Sequence, residues 1–368
     1  MLRLEAAGMD SLWDEVLPVE VRALPEDLAR LDELLSDPGL LAPISAHWER
    51  EAQAAGRSAA SHGRPTIAMQ TFVRLMVLKH RYGWGYRVLV AEVSDSLHLR
   101  RFCLIGLSER VPDESTVRKL CRRLGPDVVA GLTRLVIERA RREKRFRPRA
   151  VRIDSTVVEA DIKYPTDSGL AAQGVRSLAR EGKKLAAASG ERATGVRDRS
   201  RAMGRKLRGI SRTIRRRSGE AKAEVLRLTE QTGELLERSV CEARRMAAKA
   251  RASARGRGAK AKLRAAAKLE QLAGRCERVA DQIRKRVKDE KITDRLISLS
   301  DPDARPIRKG KLGKMTEFGY VVRGPHLLSP QGRYGLRRSR LKGHEGQQTW
   351  TGWAILAYNL DNYHRYAH

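Results

Sequence analysis

The chain has 368 residues, with 75 Lys or Arg against 44 Asp or Glu, a formal charge of 75 − 44 = +31, and 41% apolar residues. That length allows two or three domains, and the apolar share is enough for a core. No stretch approaches the roughly 20 apolar residues of a membrane span, and the start MLRLEAAGMDSLWDE lacks a signal-peptide pattern. A soluble, cytoplasmic protein without a membrane partner is therefore expected.

The charge is unevenly placed. Residues 1–62 carry 5 Lys or Arg against 12 Asp or Glu, whereas residues 171–290 carry 34 against 14 and residues 303–343 carry 11 against 2. Blocks this basic attract a polyanion through counterion release, and the obvious polyanion is a nucleic acid. Cys103, Cys121, Cys241 and Cys276 have no CxxC spacing and no His cluster beside them, so neither a zinc site nor a disulfide framework is indicated.

In chain order, residues 18–41 read as one or two amphipathic helices with Leu24, Leu28, Leu31, Leu34 and Leu35 at helical spacing. A stronger helix starts near Thr66, runs through Phe72, Leu75, Met76 and Lys79, and is closed by Gly83-Trp84-Gly85. Another spans 87–97 and leads to an apolar cluster at Phe102, Leu104, Ile105 and Leu107. Pro112 to Thr116 opens a helix over 117–124, and Pro126 opens the next, to Arg145. A small helical domain is expected over residues 1–148. It reads either as a packing module or as a helix-turn-helix reader whose Arg118, Lys119, Arg122 and Arg123 face DNA.

Residues 149–169 change character. Residues 150–153 have the apolar pattern of a buried strand, with Asp154 at its end, then β-branched Thr156, Val157 and Val158 and a second strand after a turn. Residues 170–289 contain no proline and are dominated by Ala, Arg, Leu, Lys and Glu, a helical composition. Two apolar stripes, Val225 to Ala250 and Leu263 to Val287, flank a glycine turn at residues 254–258, which predicts a coiled-coil-like helical hairpin over an insert of residues 170–290. A further helix pair is expected over 174–217. Residues 291–368 then offer a strand at 317–322 and a closing helix at 350–360, whose Trp350, Trp353, Ile355 and Leu356 would dock on a sheet.

A carboxylate aimed out of a strand end can hold a divalent metal against a phosphate, although Asp-Ser-Thr is equally ordinary turn or cap chemistry. Two-metal phosphodiester chemistry needs ions about 4 Å apart, usually held by three carboxylates. Glu159, Asp161 and Asp167 read as a solvated loop or as ion-pair partners of the basic insert, and Glu345, His326 and His344 as polar surface residues. Arg212, Arg215, Arg216 and Arg217 in the insert, and Arg308, Lys309, Lys311 and Lys314 on a glycine-rich loop, are candidate phosphate contacts.

The segment GYRVLVAEVSDSLHLRRFCLIGLSERVPDESTVRKLCRRLG, residues 85–125, resembles the N-terminal helical domain of bacterial insertion-sequence transposases of the insertion-sequence-five and "not classified yet" groups. RIDSTVVEADIKYPTDSGL is similar to the first catalytic strand of the same DDE transposases, and PDARPIRKGKLGKMTEFGY and RYGLRRSRLKGHEGQQTWTGWAILAYNL resemble later segments. The resemblance implies an α+β, mostly helical fold, in which a helical insert splits an RNase H-like core. It also implies Mg²⁺-dependent cutting and joining of double-stranded DNA at terminal inverted repeats, within an oligomer of itself or with intact transposase, in the cytoplasm at the nucleoid. Asp154 matches the first carboxylate of the triad, and Arg337, Arg338 and Arg340 of RYGLRRSR join the DNA-contact candidates.

The other two carboxylates have no match. No TADRGY-like motif is present, and RGPHLLSPQ, residues 323–331, stands where an EGRIS-like helix belongs. An internal deletion is the simplest account. The expectation is a truncated transposase that binds DNA without cutting it; the alternatives are a DNA-binding regulator and a nonspecific basic coiled-coil protein.

Overall fold

The computed structural model describes residues 1–6, 16–56, 65–143, 153–190, 195–216, 218–308, 316–325 and 334–363. In chain order these form α1 (Val19–Arg22), α2 (Glu26–Leu35), a 3-10 turn (Pro38–Leu41), α3 (Ala42–Ala54), α4 (Met69–Arg81), α5 (Tyr86–Asp95), α6 (Leu97–Phe102) and α7 (Glu114–Arg142). There follow β1 (Ile153–Ala160), α8 (Asp167–Ala188), α9 (Ser200–Thr213), α10 (Gly219–Ala252) and α11 (Ala259–Val287). The chain then forms β2 (Arg305–Ile307), β3 (Glu317–Pro325), β4 (Arg338–Ser339) and α12 (Gly343–Asn362). The class is α+β and mostly helical, with one small mixed sheet. The chain divides into two compact units, Met1–Asp161 with Tyr320–His368, and Ile162–Gly319.

The first unit is built around α4. Its TFVRLMVLKH run is apolar on nearly every face, and residues 71–80 are all buried; a helix apolar all round can only be a central one. α12 packs chiefly against α7 and α4. Trp353 meets Phe72 edge-on at 5.7 Å, and Gly352 lies so close to α7 that an added Cβ would sit 2.9 Å from Val129. Trp350, Trp353 and Leu356 therefore dock in the helical core rather than on a sheet, because α4 and α7 supply the larger apolar surface. Asp113 caps α7 by accepting from Ser115 N–H at 2.8 Å, as its PDEST start predicts. At Gly125, with φ of 68°, the helix breaks and Pro126 restarts it. The sheet strands of this unit run in the order β3–β1–β4, and β1 and β4 are parallel with Glu159 opposite Arg338.

The second unit is a bundle of α8, α9, α10 and α11. The hairpin of α10 and α11 forms as its stripes predict, but α8 packs on both of its helices, so the two stripes do not seal one another alone. Leu170, Val175, Leu178 and Leu185 of α8 face Leu236, Val240, Leu269 and Val279. Small residues permit the approach: a Cβ on Gly174 would stand 2.8 Å from Leu236 and 3.0 Å from the Cys276 sulfur. Arg244–Glu277, Arg251–Glu270 and Arg284–Glu237 pairs fasten α10 to α11 outside the core. After α11 the chain is pinned back by Gln282, which donates to the Leu296 carbonyl. It then forms β2, antiparallel to the start of β3 with Pro306 opposite Phe318.

Candidate nucleic-acid interface

Asp154 is the second residue of β1, and Ser155 to Ala160 continue the strand without a turn. The expected strand end therefore lies elsewhere, because Thr156, Val157 and Val158 are β-branched, are buried, and favour extended backbone. Two other carboxylates of this unit are already engaged. Glu159 accepts from Arg338 at 3.1 Å across the β1–β4 pair, and Asp361 accepts from Tyr334 at 2.8 Å and pairs with Arg81 at 2.9 Å. Glu345 stands exposed in the first turn of α12. Among the described residues no three His, Cys, Asp or Glu side chains are grouped so as to hold a metal.

The Asp167 side chain is 1% exposed and sits between Arg286 at 2.9 Å and Arg295 at 2.7 Å, so it is an ion-pair partner of the insert.

The α7 face is sharply divided. Val117, Leu120, Cys121 and Leu124 are buried, and Arg118, Lys119, Arg122 and Arg123 are exposed. Arg123 is held in place, with its guanidinium 3.5 Å above the Trp48 ring and its Nε donating to Glu51 at 2.8 Å. Arg118, Lys119 and Arg122 have no ion-pair partner among the described residues. The helix before them, α6, ends at Phe102, so residues 103–113 separate the two helices. This connection is longer than the 3–4 residues of a helix-turn-helix; the apolar loop residues Cys103, Ile105 and Val111 are buried and occupy it.

In the second unit the basic face is α9. Met203, Leu207 and Ile210 repeat at 3–4 residue intervals on the side of α9 that packs toward α10 and α8, Ile214 continues the spacing just past the helix end and is exposed, and Arg201, Arg205, Arg208 and Arg212 repeat at the same intervals with exposed side chains. A two-residue offset is about 200° around a helix, so the arginines stand opposite the apolar stripe. Of the insert candidates, Arg212 lies on this stripe, Arg215 and Arg216 are exposed just beyond it, and Arg217 lies outside the described residues. Arg201, Arg205 and Arg208 were missing from the candidates; the signal that finds them is the absence of any Asp or Glu between residues 199 and 219.

Arg308 is exposed, whereas Lys309, Lys311, Lys314 and His326 lie outside the described residues. Arg337 and Arg340 are exposed beside β4, and Arg338 spends its charge on Glu159.

A buried cluster behind α7 was not anticipated. Lys79 Nζ lies 3.9 Å from the Trp350 ring centre, 4.9 Å from that of Tyr86 and 3.4 Å from His80 Nε2. Burial, the leading cause, pulls its amine down to about 7, and Arg340 pushes in the same direction. His80 is held well below its ordinary value, first by burial and then by Lys79. The Tyr86 hydroxyl and Trp353 indole N–H are turned toward the Cys121 thiol and reach no conventional partner.

A family model matches within the helical part of the first unit. Residues 28–123 match the family model described as Transposase domain (DUF772), a span that runs from α2 to the basic face of α7 and supports a transposase-family protein. The chain is also 28% identical over 162 residues to "Uncharacterized protein ORF8 in nfe locus" of Rhizobium meliloti, covering 42% of this chain and 78% of that one. No solved structure matches the chain.

Proposed function

We propose that this protein is a DNA-binding relative of DDE transposases that engages double-stranded DNA at the ends of an insertion sequence and does not cut it. The observation that carries the reading is that the transposase-domain match ends on an α7 face with three exposed cations, Arg118, Lys119 and Arg122, that have no ion-pair partner among the described residues. The charge distribution supports it: residues 162–319 carry 42 Lys or Arg against 19 Asp or Glu, 42 − 19 = +23 of the total +31. In this reading the small mixed sheet is what remains of an RNase H-like core. Asp154 keeps the place of the first carboxylate, but a lone carboxylate can neither hold two cations nor align an in-line attack. The protein would act with copies of itself or with intact transposase, at terminal repeats in the nucleoid.

The test is a salt series on purified protein with an end-sequence duplex and an unrelated duplex, followed by incubation with Mg²⁺. Steep loss of affinity with salt, preference for the end sequence, and no cleavage are expected. Metal-dependent cleavage that vanishes in Asp154→Ala would overturn the inactive assignment. Equal affinity for both duplexes would favour the nonspecific alternative, which the acid-free α9 face also supports.

A further inference from the structure

The second unit encloses a cavity of about 880 Å³, inside the roughly 300–1,000 Å³ range of ligand pockets. Its walls come from residues 164–168 at the start of α8, the end of α9, the middle of α10, the end of α11 with the loop after it, and β2. Two features of the lining select the class of ligand.

The first is aromatic placement. Residues 162–319 contain just two aromatic side chains, Tyr164 and Phe318, from opposite ends of the unit's sequence. Both line this cavity, edge-to-face at 5.6 Å. Tyr164 is 79% exposed and Ile214, on the same wall set, is 65% exposed. Two large apolar side chains left in water at one cavity are a surface awaiting a flat apolar partner.

The second is charge. Among the described lining residues, four arginines stand with four carboxylates. Arg286 and Arg295 are spent on Asp167, and Arg305 faces Asp294 at 3.7 Å. A cavity balanced in this way does not select a multiply charged phosphate compound. It suits a neutral ring with polar edges, for which paired side chains offer donors and acceptors. The positive charge beside the cavity is on Arg215 and Arg216, exposed next to the lining residue Ile214, whereas the stripe of Arg205, Arg208 and Arg212 stands on the other side of α9. Rings that stack on an aromatic, joined to phosphates that meet neighbouring arginines, describe unpaired nucleotides.

We propose that this cavity receives the unpaired bases of single-stranded or locally opened DNA, with the strand's phosphates lying against Arg215 and Arg216 beside Ile214. The proposal rests on the DNA-binding reading and adds a strand preference to it.

The experiment measures binding of the full chain to a labelled single strand, the matching blunt duplex and an RNA strand of the same sequence, at one salt concentration. It adds a single strand carrying 2-aminopurine, whose fluorescence reports stacking. The expected result is a stacking-dependent fluorescence change in the single strand, lost in Tyr164→Ala and kept in Tyr164→Phe. Tyr164→Ala should weaken single-strand binding about five- to a hundredfold, the range of one base–aromatic stack, with duplex affinity and its salt slope unchanged. Ile214→Asp should act in the same direction; both positions are exposed, so neither change threatens the core. An unchanged single-strand affinity in both variants, or an equal loss for strand and duplex, would overturn the proposal. Tighter binding of the RNA would reassign the cavity to RNA. Duplex binding without any Tyr164-dependent strand effect removes this proposal alone, whereas no binding to any nucleic acid removes the DNA-binding reading as well.

Discussion

Lys79 sits in the first unit's interior at a cost. Among the described residues its amine has no carboxylate partner, and it meets the faces of Trp350 and Tyr86 and the ring of His80. Burial is the largest cause of the amine's fall from 10.5 to about 7, and that difference corresponds to about 5 kcal/mol. Cation–π contact with the two rings offsets up to about 2 kcal/mol of it. Between pH 7 and 10.5 the unfolded chain binds a proton that the folded chain does not, so stability rises with pH through this window. The penalty is complete below pH 7 and gone above 10.5. Lys79→Met should raise the melting temperature at pH 6.5 and have little or an opposite effect near pH 10, where the neutral lysine already packs well. Thermal melts of both proteins across this range check it; a pH-independent difference would mean that Lys79 stays charged throughout. The sequence placed Lys79 on the strong helix but gave no sign of its burial, because period counting assumes one wet face and α4 has none. Sequence pattern places Asp154 at a strand end, whereas it is the second residue of β1, because the buried β-branched run Thr156, Val157 and Val158 extends the strand instead of turning.

At the scale of elements, long and regular features were the readable ones. The α10–α11 hairpin, the α7 start and its break at residues 125–126 follow from stripes, caps and glycine–proline punctuation, which act locally. The third partner of the hairpin, α8, and the docking of α12 on helices rather than strands depend on which apolar faces meet, a non-local choice that one sequence does not encode in its period. The α9 arginine stripe is intermediate: its period is local, and its exposure required the opposite face to be covered. Replacing Arg201, Arg205, Arg208 and Arg212 by Gln keeps helix propensity and removes four candidate phosphate contacts. The slope of log affinity against log salt should then fall by about 3–4 for duplex DNA if all four touch phosphate. An unchanged slope, with circular dichroism confirming the helix, would move the interface elsewhere, with the α7 cations as the first alternative.

Taken whole, the molecule separates charge from fold. The first unit has its own core around α4, α7 and α12, and the second has its own around α8, α10 and α11. The second is one continuous segment, Ile162–Gly319, so cutting it out breaks no element except β3, of which it keeps the part paired with β2. Its core contains no aromatic side chain and is made by Leu, Val, Ile and Ala stripes closed at glycine contacts, all within this one segment. A core contained in one continuous segment favours autonomous folding. With 42 − 19 = +23 charges, it is opposed chiefly by its own repulsion, which salt screens. A fragment of residues 162–319 should therefore give a helical spectrum and a cooperative melt whose midpoint rises with added salt. It should retain nonspecific duplex binding while losing any preference for end sequences that α7 confers. Calorimetry on the fragment and on the full chain, with binding measured on both duplexes, tests each part. A broad, non-cooperative melt at every salt concentration would show that the bundle needs the first unit to fold, and an undiminished end-sequence preference would place recognition in the bundle instead of α7.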